Sequence, residues 1–156
     1  MAVLEELQRM SEERFLAIYE ALAQQGFGPL DGELAKKLKF RPQAIRKLPM
    51  QKRAHHARSM VLGGKNAELA YELFGTYLVR KDKALLTDFL DATGVEHEDG
   101  MISDVEEGKP DESKVPSAVE ALDAKYPADD VTLYLAMGAE HWPDVAAVQE
   151  AWKVRG

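Results

Sequence analysis

Apolar residues recur along this chain every three or four positions, the period of an α-helix, and nowhere in the sustained alternation of a half-buried strand. Leu4, Leu7, Phe15, Ile18 and Leu22 mark one such stripe within residues 2–25. Ser11, followed by Glu12 and Glu13, has the chemistry of an N-cap, so the helix is expected to restart there. The stretch GFGPLDG (Gly26–Gly32) consists of turn formers and breaks the pattern. Short helices are expected at Glu33–Leu38 and Pro42–Leu48, then a longer one over residues 50–62 that stops at Gly63-Gly64.

Asn66 is placed to cap the next helix, whose inward face reads Leu69, Ala70, Leu73, Phe74, Tyr77 and Leu78. That stripe is wide enough to predict a central helix. Asp82 is placed to cap a further one, with Leu85, Leu86, Phe89 and Leu90 inward and Gly94 as its stop. Beyond an acidic connection, Val95–Ser113, helices are expected at Lys114–Lys125, Ala128–Met137 and Pro143–Lys153, with Pro143 in a first turn. The fold class that follows is all-α, a compact multi-helix bundle of seven or eight helices in a single domain over residues 1–156. The connection holds few aliphatic residues, so it is expected to be mobile, with Met101 and Ile102 as its anchor.

Two segments are alike. LTDFLDATGVEH (Leu86–His97) and VTLYLAMGAEH (Val131–His141) each end in glycine, one residue, glutamate and histidine, with the histidines 44 positions apart. The pattern predicts two similar helical hairpins in the C-terminal half. It also offers a candidate metal site, because Glu96, His97, Glu140 and His141 combine carboxylates with imidazoles, a set that suits zinc, manganese or iron. Against that reading, adjacent Glu and His diverge from a regular backbone, whereas helical bundle sites use Glu-x-x-His so that both project from one face.

Composition adds a charge asymmetry. Residues 1–66 hold 12 Lys and Arg against 7 Asp and Glu, while residues 67–156 hold 8 against 20. Within the basic half, Leu34–Ala67 carries ten basic residues and no acidic one. A segregation of this kind points to an acidic partner or to internal neutralisation. The chain has no cysteine, which excludes disulfides, thiolate metal sites and cysteine nucleophiles. No apolar run approaches the roughly 18 residues of a membrane span. The first residues, charged every few positions, lack a signal-peptide core. A cytoplasmic protein of bacterial type, with no membrane partner, is the expectation.

Glu33–Leu48, ELAKKLKFRPQAIRKL, has the spacing of a helix-turn-helix. Leu34, Ala35, Leu38, Ile45 and Leu48 would face inward, Lys39–Arg41 would form the turn, and Pro42 would open the second helix. The candidate partner-binding residues are Lys36, Lys37, Arg41, Gln43, Arg46 and Lys47, continued by Lys52, Arg53 and Arg58. The usual turn glycine is replaced by Lys39, and Pro49 ends the second helix after two turns. A pI of about 5.1 and the single aromatic Phe40 among the basic residues weigh against nucleic acid. Enzyme signatures are missing: LGGKN lacks the hydroxyl residue of a phosphate loop, and neither G-x-G-x-x-G nor G-x-S-x-G occurs. The reading is a non-enzymatic module without cofactor that docks an acidic protein surface or nucleic acid and leaves room for self-association. The alternative is a metal-binding protein or metal-dependent enzyme.

Overall fold

The computed structural model describes residues 2–24, 36, 39, 44, 47–98, 100 and 108–155. Among them the chain is all-α, with seven α-helices and no strand. These are α1 (Ala2–Arg9), α2 (Glu12–Gln24), α3 (Met50–Gly63), α4 (Ala67–Ala92), α5 (Val115–Lys125), α6 (Ala128–His141) and α7 (Ala146–Lys153). A single 3-10 turn, Glu112–Lys114, leads into α5. No described helix is long and apolar enough to cross a membrane. Backbone contacts divide the chain into two compact units, Leu4–Glu72 and Leu73–Gly156 together with Met1–Val3.

In the Leu4–Glu72 unit, the Ser11 hydroxyl accepts the Arg14 amide at 3.1 Å and starts α2 as an N-cap. Phe15, Ile18, Tyr19 and Leu22 then fall on one face and are buried. Each such burial contributes about 1.5–3 kcal/mol. Helix α2 packs against α3, which offers Ala54, Ala57 and Val61 at helical spacing, small side chains that allow the backbones to approach. The end of α3 is a Schellman motif: the Asn66 amide reaches Val61 O at 3.1 Å and the Lys65 amide reaches Leu62 O at 3.2 Å. Its left-handed residue is Lys65, with φ 49°, and neither Gly63 nor Gly64 takes that role. The Asn66 side chain then accepts the Leu69 amide at 3.0 Å and caps α4.

In the Leu73–Gly156 unit, α4 is interrupted at Asp82, whose φ of −148° and ψ of 57° are not helical. The break falls where the sequence places a cap. Helices α5, α6 and α7 pack on one another. Helix α6 is buried continuously from Leu133 to Ala139, on all sides rather than along one stripe, while the α4 face Leu69, Ala70, Leu73, Phe74, Tyr77 and Leu78 is buried as its spacing predicts. Phe89 from α4 meets Tyr134 edge-on at 5.1 Å and Trp142 at 6.3 Å. Arg155 grips Asp123 with two nitrogens, at 2.7 and 2.8 Å, and donates to Ala128 O at 3.2 Å. It thereby ties α7 to the end of α5 and the start of α6.

The two ends of the acidic connection are fastened, whereas residues 99 and 101–107 between them lie outside the described residues. Val95 is buried and its amide completes the Schellman end of α4 on Leu90 O at 2.9 Å. Downstream, Trp142 Nε1 donates to Gly108 O at 2.8 Å, Lys109 pairs with Asp144, and the Asp111 amide donates to Thr93 O at 2.9 Å. Glu112 accepts the Ala147 amide at 3.2 Å, a carboxylate at the start of α7. Polar and backbone groups therefore supply the anchoring that a count of aliphatic residues missed. Met101, Ile102 and Val105 lie outside the described residues.

Candidate docking face and the paired Glu-His segments

Charge in the Leu4–Glu72 unit is sorted by the faces of α3. The buried stripe Ala54, Ala57 and Val61 carries Arg53 and Arg58 with it, since each lies four residues from one of those alanines. Arg53 is 7% exposed, and its guanidinium stands 5.6 Å from the centre of the Tyr19 ring. Arg58 directs Nη2 at three backbone carbonyls of the end of α1, those of Leu7 (3.1 Å), Gln8 (3.2 Å) and Met10 (2.7 Å). These are acceptors that a helix terminus leaves without an intrahelical partner, at the negative end of its dipole. Arg53 and Arg58, expected in the docking face, are therefore built into the fold.

Lys36, Lys39, Lys47, Lys52 and Lys65 are exposed. Lys36 and Lys65 line a hollow of about 600 Å³ with Met60, Asn66 and Leu69 at the corner between α3 and α4. Lys52 lines a second cleft, of about 760 Å³, between α2 and α3. Lys39 has φ 56°, left-handed, at the position where a helix-turn-helix usually carries glycine. Lys37, Arg41, Gln43 and Arg46 lie outside the described residues, as does most of the helix-turn-helix span 33–48.

The second cleft was not foreseen from the sequence. Phe15 and Leu16 of α2, Pro49 and Ala54 form its apolar part, and Glu12, Glu13, Lys52, His55, His56 and Arg58 supply the charge. His55 Nδ1 lies 3.6 Å from Glu12 Oε1, and the His55 and His56 rings meet edge-on at 6.0 Å. The available signal was the juxtaposition of two amphipathic helices whose first turns carry opposite charge.

The two Gly-x-Glu-His segments end differently. Gly94 has φ 76° and is the left-handed residue after α4, with nothing within 4 Å of where a Cβ would stand. Gly138 lies inside α6, where a Cβ would come within 3.2 Å of Val148 Cγ1 and 3.4 Å of the Trp142 ring. One glycine serves backbone conformation and the other close packing, so the expected equivalence of the two ends does not hold. Helix α6 accordingly runs past Met137 to His141, and α7 opens at Ala146 rather than at Pro143.

Glu96 is exposed. The His97 ring is engaged at both nitrogens: Nδ1 accepts the Gly100 amide at 3.0 Å, and Nε2 donates to Asp91 Oδ1 at 2.7 Å. Glu140 and His141 occupy the last turn of α6, where the His141 ring lies edge-on to Trp142 at 5.1 Å. Burial holds the His141 imidazole below the usual histidine range. Among the described residues, no group of three or more His, Asp and Glu side chains is arranged to hold a metal ion.

Two further clusters belong to the framework. Asp130 is fully buried in the first turn of α6 with Lys81 Nζ 3.4 Å from Oδ2, and Lys81 also donates to the Tyr77 hydroxyl at 2.9 Å. Asp88 accepts the Tyr126 hydroxyl at 2.5 Å and Lys125 at 2.9 Å, and the hydroxyl first, then the ammonium, hold its carboxyl below the ordinary range. No family model matches the chain, and no curated protein or solved structure matches it either.

Proposed function

We propose that the protein is a non-enzymatic helical module that docks an acidic protein segment through the lysine-bearing surface of its Leu4–Glu72 unit. One observation carries the reading: the acid-free stretch Leu34–Ala67 keeps Lys36, Lys39, Lys47, Lys52 and Lys65 exposed after Arg53 and Arg58 have turned inward. Exposed lysines on a stretch without carboxylates attract polyanions over a Debye length of about 10 Å at 0.1 M salt. An acidic protein segment is favoured over nucleic acid because Phe40 is the single aromatic residue of the acid-free stretch, too few for a base-stacking platform. The apolar part of the α2–α3 cleft also suits a polypeptide side chain.

The test is fluorescence anisotropy with a labelled glutamate-rich peptide and, separately, a labelled mixed-sequence DNA duplex. Lys36→Glu, Lys47→Glu and Lys52→Glu combined should leave the circular dichroism unchanged and abolish peptide binding. Arg53 is left intact because reversing a buried cation would damage the fold. Unchanged peptide binding by the triple variant would overturn the proposal. Retention of the duplex with steep salt dependence would transfer the same surface to nucleic acid.

A further inference from the structure

We infer that the cleft between α2 and α3 seats an acidic peptide segment with an apolar anchor, and that His55 and His56 make its capture proton-linked. The inference rests on the docking reading and assigns that surface a pocket and a regulation. A volume of about 760 Å³ lies within the roughly 300–1,000 Å³ typical of ligand sites. Leu16 and Pro49 present the apolar surface that an anchoring side chain would cover, over a floor of buried Phe15 and Ala54.

The charges around that surface are nearly balanced. Glu12 and Glu13 face the imidazoles from α2, and Lys52 and Arg58 stand beside them on α3; no other fully charged residue lines the cleft among the described residues. With both imidazoles neutral, two cations offset two carboxylates and the cleft offers an acidic segment little attraction. Protonating His55 and His56 leaves an excess of two positive charges. Arg58 cannot follow a ligand, since its Nη2 is committed to the end of α1. The adjustable cations are Lys52 and the two histidines, and His55, whose side chain is 63% exposed, is open to an incoming carboxylate. That carboxylate competes with Glu12, which lies 3.6 Å from His55 Nδ1. An acidic ligand favours the imidazolium form, so binding takes up protons and affinity rises as pH falls.

The probe is a fluorescein-labelled peptide, Glu-Glu-Leu-Glu-Glu-Leu-Glu-Glu, whose carboxylates stay ionised between pH 6 and 8. Binding to the full chain at low salt should tighten about tenfold from pH 8 to pH 6, a change that partial protonation of two sites supplies. His55→Gln with His56→Gln should bind with an affinity that varies less than about twofold over that range. Glu12→Gln with Glu13→Gln should raise the pH 8 affinity while keeping the pH dependence. If the parent chain binds the peptide, loses it on the lysine reversals and yet shows no pH dependence, this inference falls and the docking reading stands. The same holds if the histidine variant titrates like the parent. If the peptide binds at neither pH, both fall.

Discussion

Replacing Arg58 by methionine separates a structural cation from a docking one. Methionine keeps an aliphatic stem and removes only the guanidinium, which directs Nη2 at the carbonyls of Leu7, Gln8 and Met10 at 3.1, 3.2 and 2.7 Å. That nitrogen carries two hydrogens, so at most two of the three bonds are fully made at once. Hydrogen bonds from a charged donor are worth about 1.5–3 kcal/mol each, and favourable placement at a helix C-terminus is included in that figure. Against this gain, the Arg58 Nε is buried without a hydrogen-bond partner, a cost of about 1–3 kcal/mol that the substitution relieves. The expected net loss is roughly 2–3 kcal/mol, seen as a Tm lower by about 4–12 °C in differential scanning calorimetry. Arg58→Lys should fall between parent and methionine, because an ammonium keeps the charge but not the planar reach. A Tm for Arg58→Met within about 1 °C of the parent would refute the capping role. Peptide binding lost with no change in Tm would return Arg58 to the docking face.

Other expectations follow from the same geometry. Gly94→Asn should be milder than Gly94→Ala, which costs about 1–2 kcal/mol for a left-handed residue, whereas Gly138→Asn should be worse than Gly138→Ala because space is limiting there; urea denaturation of the four variants checks the order. Lys65→Gly should raise the urea midpoint, since φ 49° costs lysine about 1 kcal/mol that glycine does not bear. Burial depresses the His141 pKa, so its contribution to stability is present above the unfolded histidine value near 6.5 and is lost as pH falls through the lower folded one; His141→Phe should flatten the Tm-versus-pH profile below pH 6.5. Asp88 is depressed by the Tyr126 hydroxyl and Lys125, so its contribution holds above the unfolded aspartate value near 3.9 and is lost as pH falls below it; Tyr126→Phe should move acid unfolding to higher pH. Deleting Ser103–Glu112 removes the partners of Trp142, Asp144, Thr93 and Ala147, and it should lower Tm by many degrees in a thermal melt.

Helix existence was legible because burial repeats at the helical period, and capping chemistry was legible where it is local: Ser11 and Asn66 cap their helices within three residues of themselves. What a glycine does was not legible. Gly94 and Gly138 stand in matching sequence contexts, yet the first is chosen by a dihedral angle and the second by Val148 and Trp142 pressing against it. A short motif contains neither the angle nor the neighbour. The left-handed residue after α3 shows the converse, since a Schellman end formed on Lys65 although two glycines directly precede it. Where the helix stops was set by which carbonyls could be satisfied and by the cap Asn66 offers to α4, not by the most permissive residue. The fastening of residues 108–112 to the helices was equally invisible, because Trp142, Asp144, Thr93 and Ala147 all lie at least 18 positions away from their partners in sequence.

The same distinction governs the charge count. Ten basic residues without an acid look uniform along the sequence, but the face a residue occupies decides whether its charge reaches solvent. On α3 the helical period alone separates them: Arg53 and Arg58 share the alanine face and are drawn inward, whereas Lys52 does not and stays exposed. The inward pair are both arginines, which suits a group that must stack on a ring or span several carbonyls, while the described outward cations of the stretch are all lysines. A strongly hydrated ammonium on a flexible stem gains little from a fixed internal partner and much from an incoming carboxylate. Lysine-to-glutamate reversals should therefore act on docking and leave stability nearly untouched, and replacing Arg53, which does not line the α2–α3 cleft, should do the opposite. A set of single variants in which stability and peptide binding fell together, residue by residue, would show that one surface serves both roles.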